Sequence, residues 1–315
     1  MKKALITGVT GQDGSYLAEN LLEKGYEVYG LVRRTSSYNM QNIENIKNKI
    51  NIVYGDLEVE NHMCGLINDI KPDEVYNLAA QSDVRLSFDI PQYTSIATGQ
   101  GALNVYEAVR KFSPYSKIYQ ASTSEMFGSQ PAPQNEETKM LPNNPYGVSK
   151  LFAHNMARVY RDSYNMFISC GILWNHESPR RGLNFVTRKI CNNVAKIYKG
   201  QIENFSMGNM SAKRDWGYAP EYVECMWKML QQDKAEDFAI GTGEVHTVEE
   251  FMIEAFKCVG IEDWSKYVII DKKLFRPSET SYLMSDPSKA REKLGWEAKV
   301  RFNELVKIMM EHELK

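Results

Sequence analysis

The chain has 315 residues, 43% of them hydrophobic and 25% charged, with a formal net charge of -2. That is apolar material for one large or two closely packed domains. It excludes a disordered chain, and the charge offers no bulk attraction to nucleic acid or an anionic membrane. No apolar run approaches the ~20 residues that span a bilayer. The opening "MKKALITG" begins like a signal peptide, but Gly8, Gln12 and Asp13 interrupt it almost at once, so a cytoplasmic protein is expected. Cys64, Cys170, Cys191, Cys225 and Cys258 show neither disulfide-like nor metal-like spacing, and the five histidines are scattered. Reduced thiols and no metal site are expected.

"KKALITG" reads as a short strand ending in glycine. In "VTGQDGSYLAENLLEKG", Leu17, Leu21 and Leu22 recur at helical spacing and Gly25 stops the helix. "YEVYGLVRR" is a second strand, completing β-α-β within about thirty residues, the setting of a phosphate-binding loop. Further strands are expected at "INIVYGD", "DEVYNLAA" and "SKIYQAS", with helices between them. Such alternation implies a parallel sheet covered on both faces.

Gly8, Gly11 and Gly14 follow the first strand at the spacing G-x-x-G-x-x-G. The first permits a tight turn, the next lets backbone approach a pyrophosphate, and the last lets helix pack close to strand. Gln12 and Asp13 lie inside this loop, at the helix N-terminus whose free N–H groups suit phosphate. An acidic residue ending the second strand would hold the ribose hydroxyls of NAD. Arg33 and Arg34 stand there instead, followed by Thr35, Ser36 and Ser37. Two guanidiniums suit a 2′-phosphate, hence NADP, the alternative being a solvated basic turn. Asp56, followed by Leu57, ends the third strand and either accepts from the adenine amino group or forms a turn. Leu78 and the small Ala79 and Ala80 end the fourth, leaving room for a cofactor against the backbone.

The fifth strand runs into Thr123-Ser124-Glu125, in "ASTSEMFG", and "NPYGVSKLFA" follows with Tyr146 and Lys150 one turn apart. Sites of open α/β sheets lie beyond the strands' carboxyl ends, so the tripeptide is where a substrate meets the cofactor. A lysine ammonium beside the phenol is expected to lower the pKa of Tyr146 and make it a base. Glu125 is either a second acid–base group or a cap for the following loop. Later, "GILWNHESPRRGLNFVTRKI", "GNMSAKRDWGYAPEYVECMW" and "LFRPSE" bring Arg180, Arg181, Arg188, Lys189, Lys213, Arg214 and Arg276 from distant segments. Convergence on a diphosphate explains them, and surface ion pairs are the alternative.

The glycine loop, hydroxyl-bearing strand end and Tyr-x-x-x-Lys resemble the extended short-chain dehydrogenase/reductase superfamily. The blocks "TGVTGQDGSYLAENLLEKGYEVYGLVRRTSS", "STSEMFG", "NPYGVSKLFA", "NHESPRRG", "KRDWG" and "RPSE" further resemble the GDP-mannose 4,6-dehydratase family, over nearly the whole chain. The resemblance implies a Rossmann-type doubly wound parallel sheet with a smaller C-terminal α/β substrate-binding domain. It puts an NADP-binding domain at 1–172, with later segments returning to it, and a mainly GDP-sugar-binding domain at 173–315. It implies catalytic roles for Thr123, Ser124, Glu125, Tyr146 and Lys150. A 4,6-dehydratase needs Glu125, since oxidation at C4 acidifies C5–H and an acid must help the C6 hydroxyl leave. It implies GDP-sugar contacts from Asn175, Val186, Lys189, Gly208, Arg214, Arg276 and Glu279, with Ser82, Asp83, Glu177, Arg181, Asn184 and Lys213 on the same side. It also implies a homotetramer, a dimer of dimers, because the matching segment of the family at 32–46 reaches a neighbour's cofactor site.

Departures from the family's pattern are Asp83 for a histidine, Leu183 for a carboxylate, Tyr218 for a histidine, and the unusual "MLPNNPY" before the tyrosine. Asp83 is expected near the sugar, so a GDP-manno-heptose or related GDP-sugar is an alternative substrate. A nucleotide-sugar reductase or epimerase is another reading, which Glu125 opposes. A catalytically silent NADP-binding regulator would carry a damaged Tyr–Lys pair, and both residues are intact.

Overall fold

The computed structural model describes residues 1–278, 280 and 282–315. The first half runs β1 Lys3–Thr7, α1 Gln12–Glu23, β2 Glu27–Val32, β3 Asn51–Tyr54, α2 Glu60–Ile70 and β4 Glu74–Asn77. It continues with α3 Val84–Asp89, α4 Pro91–Thr94, α5 Gly101–Phe112, β5 Lys117–Thr123, α6 Pro145–Tyr164 and β6 Ile168–Leu173. The second half holds β7 Asn175–Glu177, α7 Val186–Tyr198, β8 Phe205–Met207, β9 Lys213–Arg214, β10 Trp216–Tyr218 and α8 Ala219–Leu230. There follow β11 Phe238–Ile240, β12 His246–Thr247, α9 Val248–Lys257, β13 Val268–Ile270, β14 Tyr282–Leu283, α10 Ser288–Leu294 and α11 Phe302–Leu314.

Seven strands form one sheet in the order β11-β6-β5-β4-β1-β2-β3, and every neighbouring pair is parallel. The chain winds outward from β1 to β3, then returns to lay β4 on the other side of β1, so the strand order reverses between β1 and β4. Both faces are covered, so the central strands are buried on both sides, and their polar residues Glu74, Asn77 and Gln120 are hydrogen-bonded among themselves and to neighbouring side chains. Ala4 and Ile6 pack into one core with Leu17, Leu21, Val223 and Met226, while Leu5 between them packs into the other with Met63, Val105 and Ala153. α1, α8 and α10 cover the first face, and α2, α5 and α6 the second.

After β6 the chain builds a separate apolar cluster from α7, α9 and α11, around Ile190, Phe251 and Leu305. It does not stay there. α8 and α10 return to the first core, and β11 pairs with β6 at the sheet edge. Among the described residues no helix is long and apolar enough to cross a membrane.

Candidate active site

Gly8 leaves β1 at φ +73°, a left-handed turn that favours glycine. A Cβ there would lie 3.1 Å from the Cα and N of Ala79, just past β4, so the two strand ends touch where the strand order reverses. A Cβ on Gly14 would lie 2.3 Å from the Gly8 carbonyl oxygen, which makes the last glycine the packing one. Such a crevice is where open α/β sheets bind ligands, and the first amides of α1 face it. A cavity of about 830 Å³ opens there and runs from Gly8 to Arg276.

On the dinucleotide side the cavity is lined by Gly11, Gln12, Asp13, Arg33, Asp56, Leu57, Leu78 and Ala79. Thr7 braces the last two, its hydroxyl accepting from both their amides at 3.0 and 3.1 Å. Arg33 donates to the Tyr93 hydroxyl. Arg34 is exposed and stands outside the lining. Asp56 turns the chain, accepting from the Glu58 amide at 3.2 Å, while also facing the cavity. The loop is tied to the second half: Gln12 donates to the His176 carbonyl at 3.0 Å and accepts from Ser178 at 2.8 Å.

Thr123, Ser124, Glu125, Tyr146 and Lys150 all line the same cavity and are nearly buried. Thr123 ends β5 and caps the 3₁₀ turn Ser124–Phe127, accepting from the Glu125 amide at 3.3 Å. The cap is therefore Thr123, not Glu125. The Glu125 carboxylate accepts from Asn144 at 2.8 Å and lies 3.6 Å from Arg276. α6 starts with Asn144 as N-cap and Pro145 in its first turn, a strong helix start.

The expected activation of Tyr146 by Lys150 is corrected by the structure. Burial pushes the phenol up to about 12, the Glu125 charge adds to it, and the Thr123 hydroxyl and Arg181 oppose it. Burial likewise pulls Lys150 down to about 8. Its ammonium nitrogen donates to the Ala121 carbonyl at 2.7 Å and lies 5.9 Å from the Tyr146 ring centroid. Desolvation outweighs the pairing that the sequence spacing suggested.

The same cavity is lined by Ser82, Asp83, Asn175, Glu177, Arg181, Asn184, Val186, Lys189, Gly208, Arg214 and Arg276. The basic residues divide. Arg180, Arg181, Lys189, Arg214 and Arg276 line the cavity, Arg180 while paired with Glu19, whereas Arg188 stands outside the lining and pairs with Glu313. Lys213 is exposed outside the lining, and Glu279 lies outside the described residues. Glu177 is spent on protein partners, accepting from Thr187 at 2.6 Å and pairing with Arg181 at 3.2 Å.

Of the departures, Leu183 is exposed and, like Tyr218, outside the lining. Only Asp83 faces the cavity, and both its oxygens have protein donors: the Leu86 amide at 3.0 Å, capping α3, and Asn184 at 2.8 Å. Sequence reading missed His176 and Asn144. The asparagine was findable as a cap before proline, but nothing local marks the histidine's reach to Asp13 at 2.8 Å.

The sheet, glycine turn and Thr–Tyr–Lys set define a short-chain dehydrogenase/reductase-type enzyme. The family model described as "GDP-mannose 4,6 dehydratase" matches residues 5–309. The GDP-mannose 4,6 dehydratase of Cricetulus griseus is 48% identical, over 100% of this chain and 92% of that protein. GDP-mannose 4,6 dehydratase 1 of Arabidopsis thaliana is 50% identical, over 100% of this chain and 90% of that protein. Among solved structures, the UDP-glucose 4-epimerase of Thermus thermophilus, in complex with NAD, superposes with a TM-score of 0.88 at 24% identity, covering 99% of this chain and 98% of that one. The chain belongs to the GDP-mannose 4,6-dehydratase family.

Proposed function

We propose that the chain converts GDP-mannose to its GDP-4-keto-6-deoxy product, with NADP as cofactor. The observation that carries this reading is Glu125, a buried carboxylate in the same cavity as Thr123, Tyr146 and Lys150. A reductase or epimerase has no use for it, and the relatives' names favour mannose over a heptose. The cradle fits a dinucleotide: Gly8 turns at positive φ, Gly14 leaves no room for a Cβ, and the first residues of α1 line the cavity. When bound, the oxidised dinucleotide supplies a positive ring that favours phenolate and accepts a hydride from C4 that it later returns to C6.

Tyr146 takes the proton of the C4 hydroxyl, and the Thr123 hydroxyl bonds the same oxygen. Lys150, anchored on Ala121, stands over the Tyr146 ring and holds the cofactor's ribose. The ketone at C4 makes C5–H acidic. Glu125 takes that proton and then passes one to the C6 hydroxyl, which leaves as water. Arg181, Lys189, Arg214 and Arg276 supply positive charge for the diphosphate. Residues 1–172 serve mainly the cofactor and 173–315 mainly the GDP-sugar.

Arg33 at the cavity, with no carboxylate at the end of β2, favours NADP over the NAD held by the epimerase. The exposed segment from Arg33 to Tyr38, beside the cavity mouth, suits the cross-subunit reach of a dimer of dimers, which light scattering would measure. The five free thiols suit the cytoplasm. The test is incubation of the chain with NADP and GDP-mannose, read by mass spectrometry. Loss of one water from the sugar supports the reading; an isomer of unchanged mass, or a reduced sugar, overturns it.

A further inference from the structure

We propose that Asn144 is a positioning residue for Glu125: its amide nitrogen holds the carboxylate while its carbonyl caps the helix that carries Tyr146 and Lys150, so that the oxidising and eliminating groups share one register. The inference rests on the role given to Glu125 above.

Asn144 is 3% exposed and lies outside the lining of the cavity, so it acts through Glu125 and not on the sugar. Its Oδ1 accepts from the Gly147 amide at 2.8 Å, and its Nδ2 donates to Glu125 Oε2 at 2.8 Å. The amide orientation follows from these partners. Turned over, it would set NH₂ against an N–H and oxygen against a carboxylate. The same nitrogen donates to Asn143 Oδ1 at 3.2 Å, which accepts from the Thr280 hydroxyl at 3.1 Å. Glu125 is thus linked to the segment that follows Arg276 as well as to α6.

The backbones are pressed together too. A Cβ on Gly147 would lie 2.6 Å from the Glu125 carbonyl oxygen. Little slack remains between the start of α6 and the turn that carries Glu125. The charged and titratable groups facing the carboxylate are Arg276, at 3.6 Å from Oε1, and Tyr146 from α6, itself facing Arg181 and Asp13. The donor on Oε2 fixes where the carboxylate that removes a proton from C5 is held.

Two substitutions separate the functions of Asn144. Asn144→Ser keeps a capping oxygen but removes the donor to Glu125. Asn144→Asp keeps the cap and replaces the donor to Glu125 by a second carboxylate, setting like charge against like charge. Both are compared with wild type and with Glu125→Gln in single turnovers with GDP-mannose. Reduced nicotinamide reports oxidation, and solvent deuterium at C5 reports proton removal. The expected result for Asn144→Ser is oxidation within about twofold of wild type and deuterium entry slowed ~10-fold or more. For Asn144→Asp the acid limb of the deuterium-entry profile moves up by about one pH unit or more. Equal slowing of both steps in Asn144→Ser, or an unmoved acid limb in Asn144→Asp, overturns the proposal while leaving Glu125 in place. Normal deuterium entry in Glu125→Gln removes Glu125 as the base, and the proposal falls with it.

Discussion

The Asp13 carboxylate meets the His176 ring at 2.8 Å, joining the helix behind the glycine turn to the strand that opens the second half of the chain. Burial alone would raise the Asp13 carboxyl, but the His176 charge and hydrogen bond, with Gln12 and Arg181, together outweigh it and hold the group below its ordinary value. Burial alone would lower His176, and the Asp13 charge raises it instead. The ring also stacks on Tyr222, with centroids 4.8 Å apart. A charged pair therefore braces the loop that faces the cofactor.

That brace is pH-dependent, and its sign follows from the raised value of His176. The contribution of the charged ring is fully present below about pH 6.5, the unfolded value, and is lost as pH rises through the higher folded value. His176→Gln should therefore destabilise most near pH 6, by about 1–3 kcal/mol, and least near pH 9. Thermal melts of both proteins across that range check it. A deficit that grows with pH would contradict the charged pair.

Arg33 faces the cavity and Arg34 does not. Arg33→Ala should weaken NADP by ~10-fold or more, the value of a charge-assisted contact, and leave NAD nearly unchanged. Arg34→Ala should do neither. Fluorescence titration of both variants with both cofactors measures the difference, and equal losses for NAD and NADP would remove the assignment.

Lys189, Arg214 and Arg276 line the cavity, and Arg276 also lies 3.6 Å from Glu125. Lys189→Met and Arg214→Met should raise KM for GDP-mannose by ~10-fold with kcat nearly intact, the mark of uniform binding. Arg276→Met should lower kcat as well, because it removes a charge beside the base. Steady-state kinetics of the three variants decide this.

Oxidation and elimination are separable steps. Tyr146→Phe should form no reduced cofactor when substrate is added. Glu125→Gln keeps shape but cannot exchange the proton, so reduced cofactor should build up while water loss slows by ~10²–10⁴. Stopped-flow absorbance, with solvent deuterium read at C5, follows both steps. Wild-type deuterium entry in Glu125→Gln would reduce Thr123-Ser124-Glu125 to a substrate-positioning strand end.

Much of the site was legible because its signals are local. Gly8, Gly11 and Gly14 need only their spacing and the strand before them. Tyr146 and Lys150 need only one helical turn. Arg180, Arg181, Lys189, Arg214 and Arg276 were found by chemistry alone, but so was Arg188, which the fold spends on Glu313 outside the cavity. An arginine's partner is set by residues a hundred or more positions away, which no local pattern records. Asp83 shows the same limit: a departure expected to alter the sugar is held by Leu86 and Asn184.

By itself the sequence determined the alternation of strands and helices and the glycine turn, and it named the candidate reacting side chains, since each depends on propensity and spacing over a few residues. Only the tertiary structure decided how those groups are tuned. The Tyr–Lys spacing suggested an acidified phenol, yet burial raises Tyr146 to about 12, because the cost of placing charge in a low-dielectric interior depends on everything packed around it. Likewise the pairing of Glu125 with Asn144 and of Asp13 with His176 joins residues far apart in the chain. Those contacts exist only once the end of β5, the start of α6, the start of α1 and β7 have been brought around one cavity.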